Sequence, residues 1–226
     1  MEYKNITEAT FADRPNRFIA HCIMDGNIHT VHVKNTGRCK ELLTPNATVF
    51  LEASDNPNRK TKYDLIAVKK FDKLINMDSQ APNKAAYEWL CSGGYIKAPI
   101  LVKPEARYGD SRIDFYIESE KEKAYIEVKG VTLENQGTAC FPDAPTQRGV
   151  KHLRHLIKAK ENGYKAAVLF VIQMKGCTKF IPNDITDPDF AATLRLAEKS
   201  GVDVLAMDCI VTPDSMVIDK PVTVEL

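Results

Sequence analysis

The sequence predicts an α/β chain of the α+β kind in two parts. A small N-terminal β-barrel comes first, then a mixed sheet flanked by helices. Three observations carry this. Residues 1 to about 78 read as short strands divided by turns. A polar, Pro-containing joint follows at Asp78–Asn83. Beyond it, segments of helical period alternate with apolar runs of strand length. The expected division is 1–80 and 81–226.

In the first part, Phe18–Ile23 and Ile28–Val33 flank Asp25-Gly26-Asn27 and read as a hairpin with a Gly-containing turn. Ala47–Glu52 and Lys62–Val68 are two further strands, and Gly37–Leu43 is expected to be a short helix stopped by Pro45. Several short strands with one small helix suggest an oligonucleotide-binding (OB) type of barrel. Basic residues such as Arg17 and Arg38 are mixed here with Phe11, Phe18, Tyr63 and Phe71, as on small barrels that bind nucleic acid.

In the second part, Lys84–Cys91 is a helix closed by Gly93-Gly94, and Tyr95–Val102 a strand. Gln147–Glu161 has Val150, Leu153, Leu156 and Ile157 at helical spacing and ends at Gly163. Ala166–Ile172 is a buried strand. Asp187 caps a helix running to Lys199, with Gly201 beyond it, and Val202–Val211 is the last strong strand.

Between these lie Arg112–Ile117 and Ala124–Gly130, alternating segments joined by the charged tip Glu118–Lys123. A tip centred between Glu120 and Lys121 sets Ile117 opposite Ala124 and Tyr116 opposite Tyr125. Asp114 then faces Glu127, and Arg112 faces Lys129. Opposed like charges repel, so two facing carboxylates need a reason. A divalent cation is one: carboxylate oxygens suit Mg²⁺ or Mn²⁺, and a lysine two residues on can stabilise developing charge. Asp114, Glu127 and Lys129 are therefore candidate catalytic residues, with Asp114 and Glu127 as metal ligands. Acids and a lysine on alternate positions are also what a solvated strand face looks like. The helix after them carries Arg148, Lys151, Arg154, Lys158 and Lys160 with His152 and His155. Arg148, Lys151, His152 and His155 lie near one stripe that can neutralise phosphates. The two histidines alone do not define a zinc site.

Net charge is +1, so only a local patch can favour nucleic acid. The six cysteines form no CxxC pair, which argues against a zinc ribbon and suits reduced thiols in a cytoplasm. No apolar run is long enough to span a bilayer, and the N-terminus lacks a signal-peptide pattern. No Walker loop, GxGxxG or GxSxG occurs, and oligomeric state is not readable.

Asn35-Thr36-Gly37-Arg38, Ser111–Phe115, Ile126–Leu133, the long Phe141–Leu153 stretch, Pro182-Asn183 and Gly201–Val204 resemble the sugar fermentation stimulation protein A family over nearly the whole length. The resemblance implies an OB-like N-terminal domain and a C-terminal PD-(D/E)xK, restriction-endonuclease-like domain of core order α-β-β-β-α-β. Its acidic and lysine positions match Asp114, Glu127 and Lys129. It also implies DNA as partner and a link to sugar, especially maltose, metabolism. The basic residues Arg17, Arg38, Arg112, Arg148 and Lys151 are the candidate contacts to the DNA backbone. Two functions stay open: a Mg²⁺- or Mn²⁺-dependent nuclease, and a non-catalytic DNA-binding regulator that keeps the fold. A sugar-metabolising enzyme is a third and weaker idea, since no sugar-site signature is present.

Overall fold

The structure is a computed structural model that describes residues 1–35, 37 and 39–226. The first part contains β1 (Ile6–Asn16), β2 (Ile19–Met24), β3 (Asn27–Val33), β4 (Thr48–Ala53), β5 (Tyr63–Lys70) and β6 (Lys73–Asn76). The sheet order β3-β2-β1-β4-β5, closed by a β3–β5 pairing, makes a five-stranded barrel, with β6 added on β5. Closure removes the sheet edges. The β2–β3 hairpin turns at Asp25-Gly26, both at positive φ, as a tight two-residue connection requires.

The expected helix at Gly37–Leu43 does not form. Among the described residues it is a single turn in which Leu42 and Leu43 N–H bond to Cys39 O. Gly37 N–H is drawn instead to the Asn35 side chain. Arg38 lies outside the described residues.

The second part contains α1 (Ala81–Cys91), β7 (Leu101–Tyr108), β8 (Ser111–Glu118), β9 (Lys123–Val131), β10 (Glu134–Asn135), β11 (Thr138–Phe141), α2 (Gln147–Glu161), β12 (Lys165–Ile172), β13 (Lys179–Pro182), α3 (Pro188–Lys199), β14 (Asp203–Thr212), β15 (Ser215–Pro221) and β16 (Thr223–Val224). The main sheet has order β15-β14-β12-β9-β8-β7, and β10, β11, β13 and β16 form a small second sheet. Leaving out the small sheet, the order α1-β7-β8-β9-α2-β12 is the one expected from the resemblance. Three expectations need correction. α1 starts at Ala81, where Pro82 is compatible with the first turn. The strand placed at Tyr95–Val102 is β7, some six residues later. Val202–Val211 is followed by a further strand, β15.

The central strand β12 explains the layering. Val168, Phe170 and Ile172 face a core shared with Leu153 and Leu156 of α2 and Phe190 and Leu194 of α3. Ala167, Leu169 and Val171 face α1 through Ala85, Ala86 and Leu90. With both faces covered, its apolar run is continuous. The helix caps are local. Thr146 accepts from Gly149 N–H at the start of α2, and Asp187 from Phe190 N–H at the start of α3.

The two parts meet through buried polar groups. Gln173 follows β12, and its Nε2 donates to Asn76 O at 3.0 Å, Asn76 Oδ1 at 3.1 Å and Asp78 O at 3.2 Å. Tyr3 continues the chain of bonds to Asp78, and Asn76 donates to Tyr3. The six cysteines are free. Among the described residues no helix is long and apolar enough to cross a membrane.

Candidate active site

The β8–β9 hairpin has the expected register, with Ile117 opposite Ala124 and Tyr116 opposite Tyr125. Ile126 and Val128 point to the α1 side, where they are buried, so Tyr125, Glu127 and Lys129 face the other way. The ladder, however, ends at the pair Phe115–Ile126. The expected direct pairing of Asp114 with Glu127 is therefore not made. Asp114 Oδ2 instead accepts the Val128 backbone N–H at 2.8 Å, and Oδ1 accepts from Asn83 Nδ2 of α1 at 3.0 Å. The carboxylate satisfies an N–H that pairing does not. Arg112 likewise does not pair with Lys129: it sits opposite Arg107 of β7 and is exposed, with Glu105 as ion partner at 3.2 Å.

Glu127 is 2% exposed. Its Oε1 accepts from Lys129 Nζ at 2.6 Å and from His152 Nδ1 of α2. His152 Nε2 in turn accepts from Arg148 Nε at 3.4 Å. With both contacts made, Nδ1 carries the proton shared with Glu127 and Nε2 faces Arg148. Glu127 Oε2 is buried and has no hydrogen-bond partner among the described residues.

The two carboxyls are pushed apart in acidity. Burial first, and then the charge of Glu127, raise the Asp114 carboxyl above its ordinary range. Burial acts in the same direction on Glu127, but the His152 hydrogen bond and the Lys129 ammonium outweigh it and hold that carboxyl below its ordinary range. The Asp114 carboxylate is bonded to the N–H of Val128, the residue next to Glu127 in the chain. Among the described residues no three His, Cys, Asp or Glu side chains converge. A cation here would take two protein carboxylates and complete its shell with water, as Mg²⁺ commonly does. The orphaned Glu127 Oε2 fits that role, because a buried oxygen without a partner is otherwise costly.

At the end of β9, a Cβ on Gly130 would stand 2.6 Å from Gln173 Oε1 and 2.7 Å from Pro82 Cγ. Gly130→Ala should destabilise the fold by roughly 1–3 kcal/mol through overpacking. Urea denaturation of variant and parent checks this, and equal midpoints would show the site can relax.

The basic helix divides by face. Arg148, Lys151, Arg154 and Lys158 are exposed, whereas His152 and His155 are buried. Lys151, Arg154 and Lys158 line a groove of about 480 Å³ with Thr146 and Gln147. Lys151 Nζ also reaches Asp110 at 3.2 Å. Arg17 is exposed at the β1–β2 turn, its guanidinium 4.8 Å from the Phe18 ring centroid. Arg14 ties that turn to the segment after β3, donating to Arg17 O, Asn35 O and Gly37 O. Sequence reasoning did not reach Asn83 or the bond from His152 to Glu127. One signal was available: Gly149, His152, Leu153 and Leu156 fall on one buried helical stripe.

Comparison with known proteins agrees with this architecture. Residues 13–77 match the model of the SfsA N-terminal OB domain, and residues 80–215 that of the sugar fermentation stimulation protein RE domain. The sugar fermentation stimulation protein homolog of Clostridium beijerinckii is 56% identical over 216 residues, covering 96% of each chain. That of Desulfitobacterium hafniense DCB-2 is 54% identical over 226 residues, covering 100% of this chain and 99% of the other. Among solved structures, Pyrococcus furiosus SfsA in complex with Ca²⁺ superposes with a TM-score of 0.90 at 26% identity, covering 100% of this chain and 98% of that one. The chain belongs to the sugar fermentation stimulation protein family.

Proposed function

We propose that this protein binds DNA and hydrolyses its phosphodiester bonds with the help of Mg²⁺ or Mn²⁺ held by Asp114 and Glu127. The observation that carries the reading is the Glu127 carboxylate: buried, anchored at Oε1 by His152 and Lys129, and left with an Oε2 that has no partner among the described residues. The Ca²⁺ complex of the Pyrococcus furiosus relative supports a divalent cation in this family. When bound, such a cation polarises a phosphoryl oxygen and makes a coordinated water more acidic. In hydrolysis the water oxygen bonds to phosphorus, the ester P–O bond breaks, and the leaving oxygen takes up a proton. Lys129 stabilises the negative charge that develops on the phosphoryl group. Asn83 and the Val128 N–H hold Asp114 in place, and His152 holds Glu127. Arg148 and Lys151, with Arg17, Arg38 and Arg112 as further candidates, grip the phosphate backbone. The free thiols suit a cytoplasmic setting.

A second reading is favoured by one specific observation. Lys129 is already engaged with Glu127 at 2.6 Å. A site braced this way suits a DNA-binding regulator that does not cut.

Incubation with supercoiled, linear and single-stranded DNA, with Mg²⁺, Mn²⁺ or chelator, separates the two. Cation-dependent cleavage supports the nuclease; binding without cleavage on all three substrates supports the regulator. Binding should weaken with salt in either case. Lys151→Gln and Arg154→Gln should each flatten the plot of log affinity against log salt by about 0.7–0.9. A slope indifferent to both changes removes the basic helix face from the DNA path.

A further inference from the structure

We propose that the cleft between the barrel and the main sheet is a pocket for one unpaired nucleobase bearing an exocyclic amine. The inference rests on the reading of DNA as substrate and narrows it to strands with an unstacked base beside the cutting site. The cleft has a volume of about 180 Å³. This is below the roughly 300–1,000 Å³ of pockets for drug-sized ligands, and suits a single small ring system. Gly130, next in the chain to Lys129, forms part of its wall. Asn35, Gly37 and Ser79 close it from the barrel side.

Its chemistry is fixed by Gln173, which is 2% exposed. Three oxygen acceptors surround its Nε2, which settles the amide's orientation. The Oε1 atom then lies over Gly130 at the cleft wall and receives no hydrogen bond among the described residues. An acceptor of a buried side chain that is open to a cavity can receive a donor there. The other polar groups agree. The Asp143 carboxylate, an acceptor, leans onto Gly37, where a Cβ would be 2.6 Å away. The Ser79 hydroxyl spends its proton on Lys34 O at 2.5 Å and has only lone pairs to offer. Asn35 gives one N–H to Met77 O and accepts from Gly37 N–H, so one donor and one lone pair remain to it. Thr132 adds a hydroxyl that can donate. Phe141 is held by Phe170 and Phe190 at centroid distances of 5.5 and 5.1 Å, and gives the cleft a fixed aromatic wall.

A lining rich in acceptors favours a base edge rich in donors. Cytosine presents an N4 amine where uracil presents an oxygen. Extruding a base into such a pocket costs least where it is already unpaired. The barrel thus contributes to substrate choice through the walls of this cleft, in addition to any contact on its outer surface.

The test is binding without cleavage. End-labelled oligodeoxycytidylate and oligodeoxyuridylate of equal length are titrated by fluorescence anisotropy in the presence of chelator. We expect the cytidine strand to bind about fivefold or more tightly, in line with one good base-edge contact. Asp143→Ala, at an exposed position, and Gln173→Met, checked for folding by circular dichroism, should each bring the ratio towards one. Equal affinities in the parent protein overturn the pocket while leaving DNA binding intact. A preference that survives both variants also overturns it. Failure to bind either strand overturns the DNA reading and the pocket with it.

Discussion

Lys129→Ala and Asp114→Asn should each lower cation-dependent DNA cleavage by about 100-fold or more, the scale of removing one preorganised charge from a transition state. The two variants should differ in stability. Asp114 is held in an environment that disfavours its charge, through burial first and Glu127 second. A raised native pKa means that stability falls as pH rises from the unfolded carboxyl's value through the native one, and the penalty is complete above that. Asp114→Asn therefore relieves a cost at neutral pH. Its Oδ1 can keep the Val128 N–H, and Asn83 can turn its amide to meet the new donor. Its melting temperature should rise above that of the parent at pH 7, while activity is lost. Cleavage that persists in both variants would remove these residues from the site. A melting temperature that drops would show that Asp114 is structural.

His152→Ala should have the largest effect on the fold. It takes one of the two donors from a carboxylate that is 2% exposed. Hydrogen bonds to charged groups contribute about 1.5–3 kcal/mol, and a loss of that size is expected at pH 7 in urea denaturation. The sign with pH follows from Glu127, whose net shift is downward despite burial because His152 and Lys129 favour its charge. That stabilisation is present above the unfolded glutamate pKa and is lost as pH falls through the depressed native value. The gap between parent and His152→Ala should accordingly narrow in acid. His152→Asn, which can donate from near the Nδ1 position, should recover much of the loss. Equal stability of the parent and His152→Ala at pH 7 would mean that Lys129 alone suffices for Glu127.

The parts of this molecule that were legible in sequence are those whose signals are local. α2 and α3 have an apolar period and punctuation at both ends, and both ends fall where these signals put them. The β8–β9 register follows from alternation around a charged tip. β1 was missed because its first residues are largely exposed and register shifts break its alternation after Phe11. β7 was misplaced because it is an edge strand carrying Lys103, Pro104, Glu105 and Arg107, the residues that protect edges and mask strand signals. At the site, Glu127 and Lys129 were legible as alternate positions on one strand. Their environment was not. The hydrogen bonds from Asn83 to Asp114 and from His152 to Glu127 join residues 31 and 25 apart in the chain. Such contacts depend on how helices dock on the sheet, which no periodicity records. The same holds for Gln173, whose orientation is set by residues 95 to 97 positions away.

The central claim is that Asp114 and Glu127 together hold a divalent cation. Titration of the protein with Mn²⁺, followed by electron paramagnetic resonance of the free ion, measures this without any assumption about substrate. Saturable Mn²⁺ binding is expected, displaced by Mg²⁺ and weakened about tenfold or more by Asp114→Asn and by Glu127→Gln. Binding unchanged in both variants, or no saturable binding in the parent protein, would contradict it.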